Sequence, residues 1–249
     1  MSIRIEIYKR PEFRRPVLLA GFPGMGMVAK QTVDYLIRKL NAEFFGEIIE
    51  EYPSVNTITY NEGVFTSFPK GNYKLYFWRE GDNELILLSG DQQPILAEKQ
   101  HEMAEKIVDF SREISVRRIY TTAAMAVLRY VERPRVYAVV SHPQLLDEIK
   151  RFGIEAMPGE GTIRGLNGLL IGYSRSKDVE SACLLGETYL VDSMDALAAL
   201  AVTRKVCQML NLDVDLSEME EIARKISEET QRALREAKAR EERRLGYIS

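Results

Sequence analysis

Cysteine and histidine are scarce in this chain. Of 249 residues, two are cysteine and two are histidine. Cys183 and Cys207 lack CxxC spacing, so a zinc ribbon and a disulfide framework are both excluded. The pattern fits a reducing setting, with both thiols as small core residues. His101 and His142 cannot build a histidine-based zinc set. Long apolar runs are also missing: none approaches the roughly 18 residues a membrane helix needs. The start, "MSIRIEIYKRPEFRR", carries no apolar signal-peptide segment. There is no excess of positive charge. The net charge is −3, against a chain-wide nucleic-acid footprint. No repeat or low-complexity linker interrupts the chain. These absences predict a soluble, cytoplasmic globular protein with neither nucleic acid nor membrane as partner.

What remains is an alternation of strands and helices. "IRIEIY" (3–8) alternates apolar and polar residues, as a half-buried strand does. "PVLLA" (16–20) is apolar throughout and reads as a central strand. A helix is predicted from Met27 to Leu40 and a strand over 42–52. "YKLYFW" (73–78) and "ELILLS" (84–89) form a hairpin across "REGDN". Pro94 opens a helix reaching about Ser115. Strands follow at 117–122 and 135–140, then a helix over 143–153 closed by Gly153. The glycine-punctuated stretch 159–173 resists assignment. A strand at 181–185 and a helix to Leu210, capped by Asp192 or Ser193, complete the pattern. The fold class is α/β: a three-layer α/β/α core with a mixed sheet over residues 1–212.

Residues 213–249 differ in kind. "DVDLSEMEEIARKISEETQRALREAKAREERR" is strongly helical, and Ser217 with Glu220 matches a capping box. Met219, Ile222, Ile226 and Ala233 form a thin apolar stripe among charges. Such a stripe suits either a solvated helix along the core or a seam that packs on copies of the chain. A helix of this length spans about 40 Å. The tail Leu245-Gly246-Tyr247-Ile248-Ser249 then leaves Tyr247 and Ile248 beside a free carboxylate.

Three stretches invite a chemical reading. "GFPGMG" (21–26) places Gly21, Gly24 and Gly26 between a strand and a helix, a candidate anion-binding turn. It matches neither GxxxxGK[ST] nor GxGxxG, and it lacks the lysine and hydroxyl a phosphate loop requires. A tight strand-to-helix corner explains the same glycines. The second group, glycines 159, 161, 165, 168 and 172, encloses Arg164, a residue suited to an anion. "SGDQQP" (89–94) ends a strong strand, where Asp91 is placed as a base, a metal ligand or a helix cap. His101 and Glu102 fall on the following helix, and His142 reads as structural. With no nucleophile elbow and no metal set, no catalytic residue, metal or cofactor is assigned.

Taken together, "PVLLAGFPGMGMVAKQTVDYLI" (16–37), "LILLSGDQQP" (85–94), "GTIRGLNGLLIGYSR" (161–175), "LLGETYLVDSMDALAAL" (184–200) and "LNLDVDLSEMEE" (210–221) carry a resemblance. In order and spacing they resemble the proteasome assembly chaperone 2 family, in its archaeal branch. The resemblance implies a nucleoside phosphorylase-like α/β/α core without enzymatic activity. It also implies C-terminal helices that build homo-oligomers. The implied function is ATP-independent assembly of 20S proteasomes through their α subunits, with a related chaperone subunit as a further partner. Some archaeal relatives end in a hydrophobic–tyrosine–any-residue tail that enters pockets between α subunits. The matching partner-binding residues here are Leu245, Tyr247, Ile248 and Ser249. Tyr247 stands third from the end instead of second, and Gly246 replaces the large apolar group. "TTAAMA" (121–126) departs from the glycine-rich turn expected of relatives. The alternative, from another class, is a small-molecule or nucleotide-binding enzyme built on the glycine turns.

Overall fold

The computed structural model describes residues 3–50, 58–67 and 71–246, with side chains as far as residue 240. In chain order the elements are β1 (Ile3–Ile7), β2 (Val17–Gly21), a single 3₁₀ turn (Met25–Met27), α1 (Val28–Lys39), β3 (Glu43–Glu50), β4 (Thr59–Asn61), β5 (Val64–Ser67), β6 (Gly71–Glu80) and β7 (Asn83–Gly90). They continue with α2 (Ala97–Glu113), β8 (Arg118–Ala126), β9 (Val136–Val140), α3 (Pro143–Lys150), β10 (Glu155–Ala156), α4 (Leu166–Ser176), β11 (Ser181–Thr188), α5 (Ala196–Leu210) and α6 (Ser217–Gly246).

Nine strands form one mixed sheet in the order β1-β3-β6-β7-β2-β8-β11-β9-β10. Its centre, β7-β2-β8-β11, is parallel. The strands β1, β3 and β6 on one side, and β9 on the other, pair antiparallel. The reason is local. The β6–β7 hairpin turns at Gly81, whose φ of +59° suits a residue without Cβ. The central strands are joined instead by helical crossovers.

Central strands are apolar throughout because both faces are covered. Along β2 and β7, Val17, Leu19, Leu85 and Leu87 point into one core layer; Leu18, Ala20, Ile86 and Leu88 point into the other. The first layer holds residues of α1, α3, α5 and the start of α6; the second holds those of α2 and α4. The three-layer architecture predicted from the sequence is present. Cys183 and Cys207 are free and buried. Burial pushes the Cys183 thiol up to about 12 against a hydrogen bond with Thr121. It pushes Cys207 up to about 11.

Several boundaries differ from expectation. α2 begins at Ala97, three residues after Pro94: residues 91–96 form an irregular, bent connection after β7, and Leu96 is extended at φ −80° and ψ 131°. The stretch 159–173 divides into a loop and α4, with Gly165 at φ +80° opening the helix. Asp195, not Asp192 or Ser193, caps α5: its Oδ1 accepts from the Ala198 N–H at 3.0 Å. Its Oδ2 accepts from Thr188 Oγ1 at 2.7 Å, which ties the cap to the end of β11. α6 begins at Ser217 rather than 213. The Ser217 N–H and hydroxyl both donate to Asp215, at 2.9 and 3.0 Å, in place of the predicted capping box. "TTAAMA" is the second half of β8.

Candidate functional site

Beside α4, a cavity of about 1350 Å³ opens on the face of the sheet. Ala123 and Met125 of β8, Val139 of β9 and Leu185 of β11 lie along it, with Ile163 and Ile171 from the α4 side. It also meets the 23–25 corner, residues 93–95 and the loop 159–165. The three stretches singled out in the sequence therefore converge on one cavity, near the carboxyl ends of β2, β7 and β8. Open α/β sheets take their ligands in such a position.

The convergence is held by two amides. Gln93 donates from Nε2 to the Pro23 carbonyl at 2.5 Å and accepts at Oε1 from the Leu166 N–H at 2.8 Å. Asn167 bridges Phe22 from both ends, accepting from its N–H and donating to its carbonyl at 3.3 Å each. These side chains are structural clamps, with their hydrogen-bonding capacity directed at backbone. Sequence reading missed both. The one signal was a polar residue at each edge of a glycine-marked loop.

The glycine corner itself is closely engaged with the protein. Gly26 adopts φ +60° and donates its N–H to the Val191 carbonyl at 3.0 Å. Its carbonyl accepts from the Asp195 N–H at 2.9 Å and from Gln31 Nε2 at 2.8 Å. Met27 donates to Gly24 and Val28 to Met25. Three amides that would face an anion are thus directed at carbonyls of the protein. Lys30 sits between two carboxylates, 2.8 Å from Asp34 and 2.9 Å from Asp91. That pairing raises the Lys30 ammonium above its usual range despite the opposing effect of burial.

Asp91 lies apart from the lining of the large cavity, in this ion-pair group. Glu102 accepts from the Ile3 N–H at 3.0 Å, tying β1 to α2. Burial pushes this carboxyl up, but that hydrogen bond and Lys99 outweigh it and hold it below the usual range. His101 meets the Tyr173 hydroxyl at 3.1 Å. His142 is buried between Ser141 and Asp178, as a structural residue at the start of α3. Among the described residues, no group of three or more His, Cys, Asp or Glu is placed to hold a metal. Nor is any helix among them long and apolar enough to cross a membrane.

The stripe on α6 divides. Met219 is buried in the first core layer and Ile226 packs against it. Ile222 and Ala233 are exposed. The helix is anchored by a bidentate Arg38–Glu218 pair at 2.9 and 2.8 Å, by Arg204–Glu220 at 2.6 Å, and by Tyr130 with Ser227. The last anchor is Gln231, which donates to Glu132 at 3.0 Å. From Arg232 to Arg240 the helix is exposed except at Ala239. Of the predicted tail, Leu245 lies in α6 with its side chain outside the described set, and Tyr247, Ile248 and Ser249 lie outside the described residues.

The model for the PAC2 family matches residues 18–234. The chain belongs to the PAC2 family. It is 27% identical over 211 residues to the uncharacterized protein MJ1210 of Methanocaldococcus jannaschii, covering 84% of this chain and 79% of that one. It is similar to the crystal structure of Pyrococcus furiosus PbaB, an archaeal proteasome activator. That match has a TM-score of 0.81 and 30% identity, over 95% of this chain and 99% of that one. Pyrococcus furiosus PbaA, an archaeal homolog of proteasome-assembly chaperone, has the same fold. There the TM-score is 0.73 at 22% identity, covering 93% and 96% of the two chains.

This PAC2 chain carries one more surface that the sequence pattern did not reveal. β4 and β5 pair as a separate two-stranded sheet. Ile58, Tyr60, Val64 and Phe65 are exposed there, Tyr60 at 71%. Two-stranded hairpins are marginally stable alone in water. Large apolar side chains on such an element mark a surface suited to being covered. Strands of three and four residues are too short for a periodicity signal.

Proposed function

We propose that this protein is a non-enzymatic, ATP-independent assembly chaperone or scaffold of the proteasome, which self-associates and binds 20S α subunits. The observation that carries this reading is the near full-length similarity, at 30% identity, to an archaeal proteasome activator. Two features of the surface support it. α6 exposes Ile222 within its anchored half, and its distal part stands clear of the core and presents Ala233 and Leu234, a face suited to other copies of the chain. The β4–β5 hairpin presents a second apolar surface. Leu245, Tyr247, Ile248 and Ser249 are the partner-binding tail in this reading, and residues 213–249 are the oligomerisation and contact unit. Several weak contacts suffice, because linking sites raises avidity by about 10²–10⁴-fold when all can engage at once.

Native mass spectrometry of the chain, alone and with 20S α subunits, tests the reading. The expected result is a homo-oligomer that binds α subunits equally well with and without ATP. A chain that stays monomeric and leaves the α subunits unbound overturns it.

A further inference from the structure

The proteasome reading leaves the large cavity unused. We propose that it is a binding site for a small apolar carboxylic acid, whose carboxylate pairs with Arg164. This stands independently of the partner surfaces above.

The volume is the first ground. Pockets for small molecules commonly measure about 300–1000 Å³; this one holds about 1350 Å³. On the face of the sheet that lines the cavity, Ala123 of β8 contributes only a methyl group beside Leu185 of β11. The polar inventory is the second ground. Gln93 and Asn167 are directed at backbone. No carboxylate is among the lining residues described, and Arg164 is the single charged one. Among the described residues it is exposed and makes no hydrogen bond or ion pair. A guanidinium at the edge of an apolar cavity free of acids selects an anion, and its planar donors match a carboxylate in bidentate fashion.

One cation suits one negative charge. A phosphate ester would call for further cations or a cradle of amides, and the corner amides of Gly26, Met27 and Val28 are directed at carbonyls. The remaining lining, chiefly Ala, Val, Leu, Ile and Met, takes an apolar body.

Isothermal titration calorimetry with decanoate, decanol and decyl phosphate tests the site on the full chain. Decanoate is expected to bind one per chain and more tightly than decyl phosphate. Because Arg164 is exposed, Arg164→Gln leaves the fold intact. It is expected to weaken decanoate about tenfold while leaving decanol unchanged, and Arg164→Lys to recover part of the loss. Ala123→Leu, checked for folding by its thermal midpoint, is expected to weaken both decanoate and decanol. Absence of decanoate binding, or equal binding by the wild type and Arg164→Gln, overturns the proposal. Displacement of decanoate by the pentapeptide LGYIS as a free acid, but not as its amide, reassigns the site to a chain terminus and overturns the small-molecule assignment.

Discussion

Gly21, Gly24 and Gly26 fall within six residues, yet each meets a different constraint. A Cβ on Gly21 would lie 2.4 Å from the Ala29 carbonyl oxygen and 2.6 Å from a Val33 methyl, so glycine there lets α1 press against the end of β2. Gly26 combines φ +60° with a would-be Cβ contact of 2.8 Å to Thr188 Oγ1. Gly24 is extended and has nothing within 4 Å of that position. Urea unfolding should therefore separate three variants. Gly21→Ala is expected to cost about 1–3 kcal/mol through overpacking. Gly26→Ala should cost about 1–2 kcal/mol through its left-handed backbone, plus the contact with Thr188. Gly24→Ala should fall within about 0.5 kcal/mol of the wild type. Equal costs at all three would refute the packing account of the corner. The motif was visible in the sequence as a strand-to-helix corner. Its allocation of amides depends on Val191 and Asp195, more than 160 residues away, and no local pattern encodes that.

At the scale of elements, α6 shows how far periodicity reaches. Its helical nature and its apolar stripe were legible. The partner of each stripe position was not, because an amphipathic face shows only that burial is favoured, not by what. Met219 and Ile226 face their own core and Ile222 faces solvent. A chain ending at Gln231 retains every anchor of α6 described above. It is expected to fold, with the circular dichroism helix signal lowered only by the residues removed, and to stay monomeric by light scattering where the full chain is expected to self-associate. Retention of the same oligomer would remove the distal helix from self-association. The loop 159–165 resisted sequence assignment for a related reason. Its junction with α4 is held by Gln93, in the distant β7–α2 connection, which accepts from the Leu166 N–H.

Across the whole molecule, two buried carboxylates, Glu187 and Glu50, respond to acid in opposite directions. Burial pushes the Glu187 carboxyl up, but the Arg135 N–H and guanidinium and the Tyr137 hydroxyl outweigh it and hold it below the usual range. The unfolded chain then binds more protons in acid than the folded one. This stabilisation is present above the ordinary carboxylate range and is lost as pH falls through the lowered folded value. Glu50 works the other way: burial raises it, and its contribution fades as pH rises through that raised value. Glu187→Gln isolates the first effect. It is expected to cost about 1–3 kcal/mol at pH 7. In thermal melts its deficit relative to the wild type should shrink as the pH falls from 6 to 3. A deficit independent of pH would place the role of Glu187 in packing rather than in charge.

The sequence by itself determined the class of this protein. Apolar runs in strands covered on both faces, helical spacing between them and a charged terminal helix are local properties, and they specify an α/β/α core with an extension. The same local chemistry excluded a phosphate loop, because the lysine and hydroxyl such a loop requires are absent at fixed positions. Only the tertiary structure decided which residues share a site. Gly24, Gln93 and Arg164 are separated by up to 140 residues, and they meet around one cavity because parallel strands bring their carboxyl ends to a common edge. Contact across such distances is set by strand order and helix length together, and neither is written in any single stretch of the chain.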